Sequence, residues 1–360
     1  MDFEVNRTDF RQTRLVEAAP ADLAPGQIRL AVERFAFTAN NISYAVAGDM
    51  LDYWGFFPCE SGWGRLPAMG FGSVSESANP DIEVGGRYFG FYPMSDEVVI
   101  EARPARTGFS DVGAHRGNHA DAYVRFTDVS GDPLFREDRG DEYLLLRGLF
   151  MTSFLVDDFL ADHNFHGGEQ TLVTSASSKT SIALATCLAA RGHRSVGLTS
   201  AGNREFVERL GLYDQVATYD DIETLDATTP SVVVDMAGDG RVQSRIHHHF
   251  GDALRYASQV GATHWEDLEP GGAELPGPRP EFFFAPGQIA KRSEEWGPAE
   301  LDARIGHALA GFLETAPQWL TVQHSAGPES VTAVYLELLE GRADASIGHI
   351  LSLSPTAFSD

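Results

Sequence analysis

The sequence has 360 residues, of which 43% are hydrophobic, and this is enough to build the cores of two ordinary domains. Its 36 glycines and its aromatic content exclude a largely disordered chain. The formal net charge is −25 at pH 7, and a surface this acidic repels nucleic acids and anionic membranes, so both are excluded as partners.

The first 142 residues carry the signals of β structure. Strands are predicted at 28–37, 70–77 and 87–92, with turns rich in Gly, Pro, Asn and Asp between them. Residues 101–120 lack periodicity and are predicted to be an excursion. A helix is predicted at 143–163, because large apolar residues recur there at a spacing near 3.6.

The middle of the chain alternates between strands and helices. Strands are predicted at 171–174, 195–199, 215–218, 231–235 and 258–262. Helices are predicted at 180–190, 203–210, 245–256 and 300–315, and the tail has a strand, a helix and a strand at 319–324, 328–339 and 348–353. The alternation predicts an α/β fold with a parallel, doubly wound sheet that helices cover on both faces.

Cysteine and histidine spacings indicate no metal site. Cys59 and Cys187 lie far apart, so neither a disulfide framework nor a metal cluster is expected. His247, His248 and His249 point about 100° apart on a helix, so we expect surface histidines rather than a metal centre. The polar N-terminus is unlike a signal peptide, and no apolar run reaches about 18 residues, so a cytoplasmic protein is expected.

Five segments, taken in chain order, resemble motifs of the medium-chain dehydrogenase/reductase superfamily. They are TANNISYAVAGDM at 38–50, PAMGFGSV at 67–74, VGGRY at 84–88, LFMTS at 149–153, and 336–341 with GHI at 348–350. No single segment is specific, but their order is. The resemblance implies a Rossmann cofactor-binding domain at 143–315. It also implies a GroES-like, β-rich catalytic domain at 1–142, which 316–360 completes.

The turn after the strand at 171–174 reads SASSKTS where the superfamily has G-A-x-G-G-V-G. Glycines there let the backbone approach a pyrophosphate closely. Serines can cap the helix and donate hydroxyls to phosphate, and Lys179, one of only two lysines in the chain, adds a full charge. The alternative is that the serines only cap the helix and that Lys179 is a solvated surface residue. The predicted cofactor contacts of the turn are Ser175, Ala176, Ser177, Ser178, Lys179 and Thr180.

The end of the second strand of the nucleotide domain bears on cofactor choice. NAD-selective sites place Asp or Glu there, and residues 197–204 contain neither. Ser200 and Arg204 match the spacing with which NADPH-preferring members hold the 2′-phosphate, although an ordinary exposed arginine is the alternative. Thr152, Tyr219 and Gly238 complete the predicted NADPH contacts.

The resemblance also implies a zinc-free active site. Zinc-dependent members need a cysteine where this sequence has Ala39 and Asn40, and a His-Glu pair near Gly70. Zinc-free members typically reduce a quinone or a C=C bond conjugated to a carbonyl, and need neutral donors to the carbonyl oxygen. The predicted catalytic residues are Asn40, Asn41 and Tyr44, with the alternative that the asparagines fix a turn and that Tyr44 belongs to the core.

The leading hypothesis is an NADPH-dependent, zinc-independent oxidoreductase that reduces the C=C bond of an enone or enoyl substrate, or a quinone. The aromatic segments at 53–63 and 282–288 either line a substrate pocket or pack the domain interface. Because loops at both places border the cleft in the superfamily, the resemblance implies a bulky, apolar small-molecule substrate. The alternative is a non-catalytic binding or scaffold protein of the same fold that lost cofactor affinity with its glycines. The sequence leaves a homodimer open.

Overall fold

The computed structural model describes residues 1–17, 22–260 and 275–358. Its strands, in chain order, are β1 (Asp2–Asn6), β2 (Thr13–Val16), β3 (Gln27–Phe37), β4 (Trp63–Gly64), β5 (Pro67–Ser77), β6 (Gly85–Pro93), β7 (Glu97–Ala105), β8 (Gly108–Asp111), β9 (Arg125–Asp128), β10 (Gln170–Val173), β11 (Arg194–Thr199), β12 (Gln215–Thr218), β13 (Ser231–Asp235), β14 (Leu254–Gln259), β15 (Glu281–Phe282), β16 (Thr321–Ala326) and β17 (Ile347–Ser352).

The α-helices are α1 (Ala39–Val46), α2 (Asp121–Val124), α3 (Gly140–Asp162), α4 (Lys179–Arg191), α5 (Arg204–Leu210), α6 (Gly240–Phe250), α7 (Ala285–Trp296), α8 (Pro298–Thr315) and α9 (Pro328–Leu339). The chain folds into two units, the first made of Met1–Leu145 with Leu320–Asp360 and the second of Leu146–Trp319. Among the described residues, none of the helices combines the length and the apolar character that crossing a membrane requires.

The first unit is built on an eight-stranded sheet with the order β16-β17-β3-β5-β6-β9-β8-β7. A further pairing of β3 with β7 closes the strands from β3 to β7 into a barrel. The closure depends on the length of β3, in which Ile28 pairs with Ser77 on one side and with Ile100 on the other. Ile28 and Leu30 alternate into the core of this unit, as the period of two in a strand requires.

The segment 101–120 was predicted to be an excursion, and this prediction is wrong. It contains the end of β7 and the whole of β8, which pair as a hairpin. Burial alternates from Val99 to Arg103, but only Ile100 and Ala102 are buried and the exposed Val99 breaks the apolar–polar alternation of the sequence, so the sequence signal of β7 is weak. Gly108 at the turn has φ 121°, and a Cβ there would lie 2.1 Å from the Phe126 carbonyl oxygen, so the turn requires glycine.

The second unit contains a six-stranded parallel sheet with the order β12-β11-β10-β13-β14-β15. The order runs outward from β10 in both directions, which is the doubly wound arrangement. Alternate residues point to opposite faces, so that Val173 and Val234 pack in one core cluster while Leu172 and Val233 pack in another. The predicted parallel sheet with two covered faces is confirmed.

Helix α6 lies earlier in the chain than the helix predicted at 245–256. Asp239 caps its start by accepting hydrogen bonds from two first-turn backbone N–H groups, and Gly251 with φ 48° follows its end. Strand β14 is accordingly also earlier than the strand predicted at 258–262, of which residues 261–262 lie outside the described residues.

Helix α7 has no counterpart among the predicted helices. Its fully buried residues are the polar Gln288 and Arg292, whereas the apolar Ala285 and Ile289 that pack against the core are only partly buried, so the apolar spacing in the sequence is too sparse to predict a helix. Gln288 Nε2 and Arg292 Nε each donate a hydrogen bond of 2.6 Å to Asp158 Oδ2 on α3. A helix that is attached through buried polar contacts carries no signal in hydrophobic spacing.

The expectation of surface histidines on α6 is wrong for His247, whose exposed fraction is 1%. Its Nδ1 donates to the Pro276 carbonyl oxygen at 2.8 Å, and its buried Nε2 has no hydrogen-bond partner among the described residues. His248 is exposed and His249 is half-buried. Burial lowers the pKa of His247, because the protonated ring would lose its hydration.

We expect this burial to make stability fall as the pH is lowered from 7.5 to 5.5. The folded-state pKa of His247 lies below its unfolded value, so the unfolded chain binds the extra proton, and stability is lost as the pH falls through about 6.5. Urea unfolding of the parent, His247→Gln and the exposed control His248→Gln measures the effect. A single histidine contributes at most about 1.4 kcal/mol per pH unit. An unchanged pH slope in His247→Gln would contradict the prediction.

Candidate functional site

The turn between β10 and α4 lies at the carboxyl end of β10, where the strand order of the parallel sheet reverses. Strand β10 has β11 on one side and β13 on the other. In open α/β sheets, ligands bind at the carboxyl ends of the strands at this switch point. Helix α4 begins here with Ser178 as its N-cap, so the positive end of its dipole lies at the same edge.

Ser175 opens the turn in the left-handed region, with φ 48°, at the position of the first glycine in the superfamily pattern. Hydrogen bonds hold this conformation. The Ser175 backbone N donates to Tyr219 Oη at 3.0 Å, and the Ser178 backbone N donates to the Ser175 carbonyl oxygen at 2.7 Å. The next residue is also held, since the Ala176 backbone N donates to the Leu198 carbonyl oxygen at 3.0 Å. A serine takes a glycine-like conformation here because its surroundings fix it.

Two of the serine hydroxyls in the turn are used inside the protein. Ser178 Oγ accepts from the Ser181 backbone N at 3.1 Å and donates to Ser181 Oγ at 2.9 Å. Ser181 Oγ in turn donates to the Thr174 carbonyl oxygen at 2.9 Å. Ser177 Oγ accepts from Asn203 Nδ2 at 3.1 Å, which leaves the Ser177 hydroxyl proton for another acceptor.

Backbone donors remain at the start of α4. Neither the Ser177 nor the Thr180 backbone N–H meets an acceptor within the part of the chain that the structure describes. Lys179 is the first residue of the helix and is half-buried. Two N–H groups, one hydroxyl, one lysine and the helix dipole together suit an anionic ligand.

The buried carboxylate of Asp235, for which no role was predicted from the sequence, holds the residue that precedes the turn. Asp235, at the end of β13, accepts at Oδ1 from Thr174 Oγ1 at 2.6 Å and from the backbone N of Ala237 and Gly238 at 3.0 and 3.1 Å. Its Oδ2 accepts from Gln243 Nε2 at 2.6 Å. The sequence feature that could have identified Asp235 is its position directly after three consecutive valines, at the end of a predicted buried strand. Asp235 thus fixes the ends of β10 and β13 and the position of the predicted contact Gly238.

Thr152 and Thr180 lie on neighbouring helices of the second unit. Thr152 Oγ1 donates to the Gly148 carbonyl oxygen of its own helix at 3.2 Å. The adjacent Ser153 Oγ, which is fully buried, lies 2.7 Å from the Thr180 carbonyl oxygen. The structure therefore brings α3 against the first turn of α4, beside the predicted pyrophosphate contacts.

Ser200 and Arg204 lie just after the end of β11 and are both exposed. Arg204 Nε donates to Glu208 Oε1 at 2.8 Å, and Arg204 Nη1 lies 3.5 Å from Asp221 Oδ2. The same Asp221 oxygen accepts a hydrogen bond of 2.7 Å from Thr218 Oγ1 at the end of β12. The guanidinium predicted to bind a phosphate is therefore engaged by two carboxylates, which the sequence analysis did not anticipate.

The predicted residues of the first unit lie on α1, which begins after the N-cap Thr38. Asn41 Oδ1 accepts from the Thr38 backbone N at 2.8 Å, and Asn41 Nδ2 donates to the Pro67 carbonyl oxygen at 2.9 Å. Asn41 is buried, and these contacts fix the start of α1 against β5. This is the structural role that the sequence left open as the alternative for the asparagines.

Asn40 and Tyr44 form a hydrogen-bonded pair one turn apart on α1. Asn40 Nδ2 donates to Tyr44 Oη at 2.7 Å, and the Tyr44 ring packs 4.5 Å from the ring of Tyr53. Burial raises the pKa of Tyr44, so the phenol keeps its proton at neutral pH. Because Asn40 occupies an acceptor position of the oxygen, the Tyr44 proton is available to a different acceptor.

An aromatic cluster surrounds Tyr44 in the first unit, with neighbouring ring centroids 4.4–6.3 Å apart. Its members are Tyr44, Tyr53, Phe56, Phe91, His119 and Tyr123. The segment 53–63 thus contributes to an apolar environment around the Tyr44 phenol. In the segment 282–288, by contrast, Phe282 and Phe284 are 52% and 58% exposed. No group of three metal-ligating side chains occurs among the described residues.

Solved structures with the same fold were found by structural comparison. CurA from Vibrio vulnificus in complex with NADPH has a TM-score of 0.63 at 13% identity, with 97% of this chain and 96% of CurA covered. YhdH from Escherichia coli with bound NADPH has a TM-score of 0.58 at 13% identity, with 98% of this chain and 100% of YhdH covered. A putative NADPH:quinone reductase from Mesorhizobium loti has a TM-score of 0.57 at 12% identity, covering 91% and 87%.

These similarities confirm the fold that the sequence predicted, a Rossmann doubly wound sheet with a GroES-like β-rich part. No curated protein matches the sequence. One family model, described as "Protein of unknown function (DUF2855)", matches residues 35–344, which is most of the chain. The chain therefore belongs to the DUF2855 family.

Proposed function

We propose that this protein is an NADPH-dependent, zinc-independent oxidoreductase that reduces the C=C bond of an enone or enoyl substrate, or a quinone. The β10–α4 turn is the observation that carries the proposal, because it offers backbone donors, a lysine and a helix N-terminus at the switch point of a doubly wound sheet. The NADPH complexes of CurA and YhdH, which share the fold, support the same cofactor.

The residues of the second unit suit the phosphates of this cofactor. The Ser177 hydroxyl, the backbone N–H groups of Ser177 and Thr180, and Lys179 would hold the pyrophosphate. Ser200 and Arg204 would face the 2′-phosphate. NADPH supplies a hydride when it is bound, and the protein must provide orientation and electrostatic stabilisation.

Tyr44 is the proposed hydrogen-bond donor to the carbonyl or quinone oxygen of the substrate. Hydride addition to the conjugated carbon places negative charge on that oxygen, and a neutral phenol held by Asn40 stabilises the charge. Because burial raises its pKa, Tyr44 would stay neutral and act as a hydrogen-bond donor to this oxygen. A proton from solvent, added at the α carbon of an enone or at the oxygen of a quinone, would complete the reduction. Ala39 and Asn40 stand where the resemblance places a cysteine in zinc-dependent members, so the polarising role would fall to the neutral donors Tyr44 and Asn40.

The alternative proposal is a binding protein of the same fold without catalytic activity. Two observations favour it. The hydroxyls of Ser178 and Ser181 are consumed within the turn, and two carboxylates already engage Arg204. Such a site would hold a dinucleotide less tightly than a glycine-rich turn does.

Thermal denaturation and tryptophan fluorescence with NADPH, NADP, NADH and NAD test the proposal. We expect stabilisation by the nucleotides, and NADPH oxidation in the presence of an enone or a quinone. Absence of stabilisation by all four would favour the binding-protein alternative, and stabilisation without turnover of either acceptor class would contradict the proposed reaction. Zinc at equimolar amount in the purified, active protein would contradict its zinc-independence.

A further inference from the structure

We infer that Asp221 determines cofactor preference by competing with the 2′-phosphate of NADPH for Arg204. The inference rests on the proposed function, and it names a residue that weakens the binding of NADPH. Arg204 is the predicted 2′-phosphate ligand, and its Nη1 lies 3.5 Å from Asp221 Oδ2. A phosphate dianion that reaches this guanidinium must approach a carboxylate of the same sign.

The two carboxylates on Arg204 differ in how firmly they are held. Glu208 lies one turn further along the exposed face of α5, on a long side chain that can rotate into solvent. Asp221 is on a short side chain, and its Oδ2 accepts a hydrogen bond of 2.7 Å from Thr218 Oγ1. Thr218 is itself the buried last residue of β12, so the carboxylate is fixed to the sheet.

The Asp221 carboxylate therefore keeps its negative charge next to the predicted 2′-phosphate position when the cofactor binds. Glu208 can move away when a phosphate binds, whereas Asp221 stays unless the hydrogen bond to Thr218 breaks. The side chains of Arg204 and Asp221 are 48% and 44% exposed, so the repulsion is screened by solvent and depends on salt. NADH, which carries a 2′-hydroxyl in place of the phosphate, does not meet this repulsion, so Asp221 narrows the difference in affinity between the two cofactors.

The variant Asp221→Asn tests the inference, because asparagine keeps the size and an oxygen for Thr218 but removes the charge. Equilibrium binding of NADPH and NADH is measured at low and high salt, with 2′,5′-ADP and 5′-AMP as probes that lack the nicotinamide half. We expect NADPH and 2′,5′-ADP to bind about three- to fivefold more tightly at low salt, the upper part of the range for one exposed charge pair. NADH and 5′-AMP should change less than about twofold, and the gain should shrink at high salt.

Glu205→Gln is the matched control, since it also removes one negative charge, in this case from α5. Glu205 pairs with Arg209, 3.6 Å away on the exposed face, and although it follows Arg204 in the chain, its carboxylate forms no ion pair with the Arg204 guanidinium among the described residues. The control should leave all four affinities unchanged. Unchanged NADPH binding in Asp221→Asn would overturn the inference, and weaker binding would overturn it and mean that Asp221 positions Arg204 instead. If the parent binds NADH and NADPH but the variant keeps their ratio, only the inference fails, whereas a parent that binds no nucleotide refutes the proposed function as well.

Discussion

Replacing Asp235 by alanine should lower the free energy of unfolding by about 3 kcal/mol, because it leaves several buried donors without an acceptor. The Asp235 side chain is almost fully buried and accepts from Thr174 Oγ1, Gln243 Nε2 and two backbone N–H groups. Thr174 Oγ1, Gln243 Nε2 and the Gly238 backbone N lose this acceptor together, whereas the Ala237 backbone N keeps a contact of 3.2 Å with Thr174 Oγ1. Urea unfolding followed by circular dichroism measures the change.

The effect of Asp235→Ala should extend to ligand binding. Thr174 precedes the turn, and its Oγ1 also accepts from the Met236 backbone N at 2.9 Å, so the carboxylate orders both strand ends. We therefore expect weaker nucleotide binding in addition to lower stability. Asp239→Ala, which removes the N-cap of α6, is the control and should cost only about 1 kcal/mol. Equal losses in the two variants would show that the Asp235 network has no special role.

The fold could be predicted because its signals are local and repeated. The strands at 215–218 and 231–235 and the helix at 328–339 were predicted with the bounds that the structure shows, since residues that favour turns or helix starts bound each of them. Two of the elements that were missed, α7 and β7, have one cause in common. In α7 and β7 the buried face is polar or short, so hydrophobic spacing does not reveal the element.

The candidate site was predictable only in part. The position of the turn followed from the order of strands and helices, and Ser178 takes the cap that its side chain predicts. The acceptors used by its hydroxyl, and the engagement of Arg204 by Asp221, depend on residues brought together from separate strands. Tyr44 and Asn40 lie four residues apart on one helix, so their contact follows from helical geometry. The role of Asp235 could be recognised only in the folded structure, because its partners follow β10 and lie on α6.

Replacing Lys179 by methionine should weaken the binding of both NADPH and NADH by about 1.5–3 kcal/mol, the range for a charge-assisted hydrogen bond to phosphate. Lys179 is the first residue of α4, in the turn where the superfamily has glycines and this chain has serines. The pyrophosphate is common to both cofactors, so the loss should be equal for the two. Isothermal titration or fluorescence titration of both nucleotides measures it.

Folding stability should hardly change in Lys179→Met, because a cation at a helix N-terminus opposes the helix dipole rather than supporting it. Lys291→Met is the matched control, since it removes the only other lysine, which pairs with Asp162, and it should leave nucleotide binding unchanged. Arg204→Ala should weaken the binding of NADPH but not of NADH, which distinguishes contacts to the 2′-phosphate from contacts to the pyrophosphate. If Lys179→Met binds both cofactors as the parent does, the turn works through its backbone N–H groups and Ser177 alone, because Ser178 and Ser181 already spend their hydroxyl protons within the turn.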